Sequence, residues 1–70
     1  MSANLISVVR RADSDIGDVS GNCSEALHLI ERGDISSALL RMEWATENIR
    51  RAELSIAEAR DELSKAESLS

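Results

Sequence analysis

The residues best suited to chemistry in this chain are Cys23 and a Glu-x-x-His pair formed by Glu25 and His28. Glu-x-x-His on a helix is part of the ligand set of di-iron four-helix bundles, and Glu43 or Glu47 could complete such a set in a dimer. Those ligands must point into the centre of a bundle. The repeat described below places Glu25 and His28 on the outer side of their helix instead, so we predict a solvated histidine, no metal site and no cofactor.

A nucleophilic site is not indicated either. Cys23 is the only cysteine, so it cannot form an intrachain disulfide, and the repeat places it where a small apolar group packs. The only histidine lies on another side of the same predicted helix, which argues against a Cys–His pair. The three glycines lack both the spacing and the preceding strand of a phosphate-binding loop. We therefore expect no catalytic residues and no enzymatic activity.

The acidic segment around Asp13, Asp15 and Gly17 superficially imitates the beginning of a calcium-binding loop. An EF-hand loop needs glycine at its sixth position and glutamate at its twelfth. Counted from Asp13, these positions hold Asp18 and Ser24. The spacing therefore argues against a calcium site.

A seven-residue repeat dominates the second half of the chain. Alanine occupies one series, Ala38, Ala45, Ala52, Ala59 and Ala66. Three residues ahead of each alanine runs a series of large apolar residues, Ile35, Met42, Ile49, Ile56 and Leu63. A repeat of seven keeps one stripe of a helix facing a partner, and alanine in that stripe lets two helices approach closely. The pattern predicts a helix over about 35–68 with an alanine-rich coiled-coil seam.

The first half of the chain carries the same alternation of four- and three-residue steps. It runs through Leu5, Val9, Ala12, Ile16, Val19, Cys23, Ala26 and Ile30. This pattern predicts a first helix over about 3–32. Residues 13–22 are poor helix formers, and each glycine there costs roughly 1 kcal/mol relative to alanine. Because the register runs through them without a slip, we expect a continuous helix, with a softened or broken helix at 13–22 as the alternative.

The two registers are separated by a short turn at 32–34. Gly33 can adopt the left-handed conformation that ends a helix, and Asp34 can cap the next one. The turn also explains Arg32-Gly33-Asp34, a tripeptide that is familiar from cell-adhesion ligands and that short sequences match by chance. Helices joined by so short a turn must fold back on each other.

The predicted fold class is all-α, an antiparallel two-helix hairpin that forms a single domain over 1–70. Within it we expect large and alanine residues to meet across the seam, for example Ile16 against Ile49 and Ala52. Chains of about this size bury only about 60% of their unfolded surface. This chain also has a single Trp and no Phe or Tyr to enlarge its core. We therefore expect two hairpins to pair into a homodimeric four-helix bundle.

Two groups of residues outside the seam are candidates for an interface between chains. On the first helix, small residues recur on the side away from the seam at Ser14, Gly17, Gly21 and Ser24. On the second helix, large residues outside the seam are Leu40, Trp44 and Leu54. These residues would contact a second copy or a protein partner. In the alternative, Leu40 and Trp44 simply close the bundle near the turn.

The chain is acidic, with a formal net charge of −5 to which both halves contribute. Nucleic-acid backbones and anionic membranes require clustered Lys and Arg, so this charge argues against both as partners. The apolar stretch near the N-terminus is too short for a signal or membrane-spanning segment. By default, these features predict a cytoplasmic location.

The sequence thus favours a non-enzymatic protein–protein interaction module, such as a small adaptor, inhibitor or assembly factor, that acts as a homo-oligomer. The alanine seam, the short turn and the expected dimer resemble in packing style the Rop family of RNA-binding plasmid copy-number regulators. That resemblance implies a nucleic-acid-binding regulator as the alternative function. Its candidate residues are the two arginine pairs, Arg10 with Arg11 and Arg50 with Arg51. A small ligand held between two hairpins is a third possibility.

Overall fold

The computed structural model describes residues 2–69, which form two long helices joined by a short turn. Helix α1 spans Ser2–Glu31 and helix α2 spans Ile35–Leu69. The helices pack side by side in opposite directions, in a hairpin whose Cα atoms span 54 × 16 × 11 Å. The all-α helical hairpin predicted from the repeat is confirmed. Helix α1 is continuous through 13–22 despite its two glycines.

The turn has the hydrogen bonds of a Schellman motif followed by a helix cap. Gly33 has φ 79°, in the left-handed region that favours glycine. Its N–H donates to the carbonyl of Ile30 at 2.9 Å, and the N–H of Asp34 donates to the carbonyl of Leu29 at 2.9 Å. The carboxylate of Asp34 then accepts the N–H of Ser37 at 3.2 Å, which caps α2. The short turn thereby pairs backbone groups that the helix ends leave free.

Small and polar side chains fill the space between the two helices. The alanines of the predicted seam lie there, since Ala38, Ala45, Ala52 and Ala59 are all buried. Asn48 and Ser55, each three residues after an alanine, are buried with them. On α1 the buried residues are Val8, Ala12, Asp15 and Ala26.

The prediction that large residues share this surface is wrong. Ile49 and Ile56 are 46% and 40% exposed, and Ile16 on α1 is 49% exposed. Instead of Ile16 meeting Ile49, the structure brings Asp15 to Ser55. Each helix is rotated about its axis so that alanine and small polar residues face the other helix, because small side chains allow the closest approach of the backbones. The large residues therefore flank the contact.

Two polar contacts connect the helices near the middle of the hairpin. The hydroxyl of Ser55 donates to the carboxylate of Asp15. The Nδ2 of Asn22 donates to the Oδ1 of Asn48 at 2.6 Å, and Arg41 donates to the Oδ1 of Asn22 at 3.3 Å. Within residues 4–69, every buried side-chain nitrogen and oxygen has a hydrogen-bond partner. Because these groups lose a partner if the helices slide, the contacts fix the register of the hairpin.

Candidate interaction surface

The polar contacts show which side of the hairpin carries the large apolar residues. Ile16 directly follows Asp15, and Ile56 directly follows Ser55. One residue further along a helix turns the side chain by about 100°. Because the helices are antiparallel, the same step on both of them leads to the same side of the hairpin. Ile16 and Ile56 are therefore neighbours on one face.

This relation repeats every seven residues and produces a continuous surface, which we call the apolar face. It consists of Val9, Ile16, Cys23 and Ile30 on α1 and of Ile35, Met42, Ile49, Ile56 and Leu63 on α2. Apart from the half-buried Cys23, these side chains are 40–62% exposed. Val9 and Leu63 line one shallow groove, as expected for residues on a common face. None of these nine residues is charged, and Arg10 lines the groove beside Val9 and Leu63.

The opposite side of the hairpin is polar and carries ion pairs. Arg11 on α1 lies 3.4 Å from Glu58 on α2. Near the end of α2, the amine of Lys65 lies 3.2 Å from Asp61 and 3.8 Å from Glu62. A hydrogen bond to Asp61 and attraction to both carboxylates raise the pKa of Lys65 above its ordinary value. The hairpin is thus two-sided, with a polar face behind the apolar one.

The large residues predicted to form a second interface are exposed, and Leu40 and Trp44, four residues apart, lie on the same side of α2. Leu40, Trp44 and Leu54 lie on the outer and polar sides of α2, and Leu54 is 73% exposed. The guanidinium of Arg41 lies over the ring of Trp44, 4.8 Å from its centroid.

The small residues Ser14, Gly17, Gly21 and Ser24 lie on the outside of α1 and are exposed. A Cβ atom added at Gly17 or Gly21 would meet nothing within 4 Å. Close packing within the hairpin therefore does not require these glycines. Their role in an interface between chains stays a prediction.

The four candidate arginines are all exposed. Arg11 is paired with Glu58, and Arg50 lies 2.6 Å from Glu47. Consecutive residues on a helix point about 100° apart, so Arg10 and Arg11 face different directions. The same holds for the other pair.

The residues considered for catalysis and metal binding differ in exposure. His28 is exposed, while Cys23 and Glu25 are half-buried. In the described part of the chain, no three His, Cys, Asp or Glu side chains lie close enough together to hold a metal ion. Among the described residues, the apolar face gathers eight of the fifteen exposed large apolar side chains on one side of the hairpin, and this composition suggests a role.

No known protein family, curated protein or solved structure matches this chain. Over residues 2–69, neither helix has the length and apolar character needed to cross a membrane. The function must accordingly be argued from the geometry of the hairpin itself. Sequence reasoning found both rows of large residues but assigned them to the contact within the hairpin. The signal it missed is the polar residue three positions after each of the first four alanines, namely Arg41, Asn48, Ser55 and Glu62.

Proposed function

We propose that this chain is a non-enzymatic protein–protein interaction module that works as a homodimer, in which two hairpins pack through their apolar faces into a four-helix bundle. The apolar face carries this proposal. A stripe of large apolar side chains without a charge is typical of an interaction surface. Here it follows both helices of a hairpin that is 54 Å long.

The direction of the apolar face fits the geometry of a four-helix bundle. In a square bundle, the central axis lies about 45° away from the direction in which a helix faces its neighbour. Within the hairpin, α2 faces α1 along the line between Ala45 and Asn48. At about 100° per residue, the direction midway between Ala45 and Ile49 lies about 50° from that line. The alanine series and the series of large residues, which were predicted to form one seam, would therefore both be directed towards the central axis of a dimer.

A single hairpin lacks the core that such a bundle would supply. Its buried apolar residues are Val8 and six alanines, and no described side chain is completely buried. Covering a large aliphatic side chain contributes roughly 1.5–3 kcal/mol when the burial is complete. A second hairpin would cover the nine residues of the apolar face on each copy, so association would supply most of the large-residue burial.

The size of the apolar face also suits a second copy. The face measures 54 by 16 Å between Cα atoms, which corresponds to an area on the order of 800 Å². A standard protein–protein interface buries about the same area on each partner. A second copy presents large residues at the same seven-residue spacing and over the same length. The nine residues of its apolar face also include no charged residue that would need a partner in the interface.

The opposite face and the outer sides of the helices would remain accessible in this dimer. Leu40, Trp44 and Leu54 would then be available to a protein partner, as an adaptor, inhibitor or assembly factor requires. The nucleic-acid alternative receives no support from the placement of the arginines, two of which already pair with carboxylates. Binding of a small ligand and the cytoplasmic location stay predictions.

A pair of matched variants tests the proposal. Ile49→Asp places a charge in the centre of the apolar face, whereas Leu54→Asp makes the same chemical change on the outer side of α2. We expect Ile49→Asp to halve the mass measured by sedimentation and Leu54→Asp to leave it unchanged. If the two variants keep the same mass at every concentration, the apolar face is not the interface.

A further inference from the structure

The layered arrangement of the apolar face also determines how the second copy is oriented. We infer that the two hairpins pack with their turns at opposite ends of the bundle, related by a twofold axis perpendicular to the helices. This inference rests on the proposed function, because it specifies the partner of the same surface.

Residues at the same height on α1 and α2 form layers across the hairpin. The contact between Asp15 and Ser55 fixes these heights. A large layer at this level contains Ile16 and Ile56. Further large layers follow at seven-residue intervals, with Val9 and Leu63, Cys23 and Ile49, and Ile30 and Met42.

Between the large layers lie layers that each contain at least one alanine, and two of them contain only alanine. The pairs are Leu5 with Ala66, Ala12 with Ala59, Val19 with Ala52, and Ala26 with Ala45. Adjacent large and small layers are half a heptad apart, which is about 5 Å at a rise of 1.5 Å per residue. Along its apolar face, a single hairpin therefore alternates between layers of larger and layers of smaller side chains.

A twofold axis along the helices would place each layer against its own copy, because this rotation leaves heights unchanged. One level would contain four large side chains, for example two copies of Ile16 and Ile56. The neighbouring level of Ala12 and Ala59 would hold four alanines. Straight helices cannot be far apart at one level and close together about 5 Å further on, so this arrangement leaves voids or overlaps.

A twofold axis perpendicular to the helices reverses the heights and allows each large layer to meet a small one. Every level of the bundle then contains at least one large residue and at least one alanine, and no level consists of four large residues or of four alanines. Mixed layers of this kind vary less in volume, so they keep the spacing of the helices more even along the core. The axis would pass midway between the layer of Ile16 and Ile56 and the layer of Val19 and Ala52. This point is near the middle of the hairpin, so the two copies overlap over nearly their whole length.

Distances between spin labels on the full-length chain distinguish the two orientations. The native cysteine is first removed with Cys23→Ala, and a label is attached at the turn through Arg32→Cys. Opposite turns predict a distance of roughly 50 Å between the two labels, close to the 54 Å length of the hairpin. Turns at the same end predict a distance below about 25 Å, because neighbouring helices lie 8–10 Å apart.

Two further labels make every outcome informative. Ser68→Cys, at the other end of the hairpin, should also give a long distance, and it replaces the turn label if Arg32→Cys lowers the helicity. Ser20→Cys, near the middle, should give a distance below about 35 Å in either orientation, which reports that the dimer has formed. Short distances at all three sites would overturn the inferred orientation but keep the dimer. No measurable distance at any site, with full helicity, would instead refute the homodimer and this inference with it.

Discussion

Single residues decide which part of each helix faces the other. Asp15 and Ser55 form a buried polar contact in a surface that otherwise consists mainly of alanine, and Asn22 with Asn48 forms another. Sequence reasoning did not find these contacts because an apolar seam already accounted for the repeat. A polar residue at a seam position is ordinarily interpreted as solvated. Only the folded structure shows that polar side chains on the two helices form hydrogen bonds with each other.

Removing one member of the buried contact should cost more than removing both. We expect Ser55→Ala to lower the free energy of unfolding by about 1–3 kcal/mol, because the buried carboxylate of Asp15 loses its donor. The double variant Asp15→Ala/Ser55→Ala should be less destabilised than the sum of the two single variants. Urea unfolding at one fixed protein concentration measures this, with the exposed Ser20→Ala as control. Strict additivity would contradict a direct interaction.

Among the described residues, Gly33 is the one whose backbone conformation favours glycine over other amino acids. Its φ of 79° is unfavourable for a side chain bearing a Cβ atom, although no neighbouring atom would clash with one. We expect Gly33→Ala to lower stability by about 1–2 kcal/mol through the backbone alone. Thermal unfolding measures the loss. The variant Gly21→Ala, in the interior of α1, is the control, and it should be neutral or stabilising because alanine favours the helix.

At the scale of the elements, the sequence predicted both helices and the turn, since the repeat and the Gly33-Asp34 pair are local signals. The continuity of α1 through 13–22 also followed from the unbroken register. The rotation of the helices could not be predicted in the same way. On α2, three rows of side chains could face the other helix: the alanines, the large residues, and the polar residues three positions after the alanines. Which two of these rows lie in the contact depends on the distance between the helices.

The alanine row should tolerate no enlargement where the two helices are closest. Ala52 is 3% exposed between α1 and α2. We expect Ala52→Leu to cost about 1–3 kcal/mol, because the larger side chain must separate the helices or leave its rotamer. Ala57→Leu makes the same change at an exposed position of α2 and should be nearly neutral. Equal effects in urea unfolding would show that the alanine row is not a site of close approach.

At the scale of the whole molecule, the hairpin is an elongated two-helix layer with one polar and one apolar side. The small size of its buried core was predictable from its length and composition. The side on which the large residues lie was not, because they had been assigned to the interior of the hairpin. The structure moves them to a common face, where the same seven-residue spacing can serve a contact between two copies.

Sedimentation equilibrium of the unmodified chain over a wide range of concentrations tests the pairing of two hairpins most directly. We expect a species of twice the 7.6 kDa mass of the chain that dissociates only on dilution, together with a melting temperature that rises with protein concentration. A stable, fully helical species of 7.6 kDa at all concentrations would contradict this pairing.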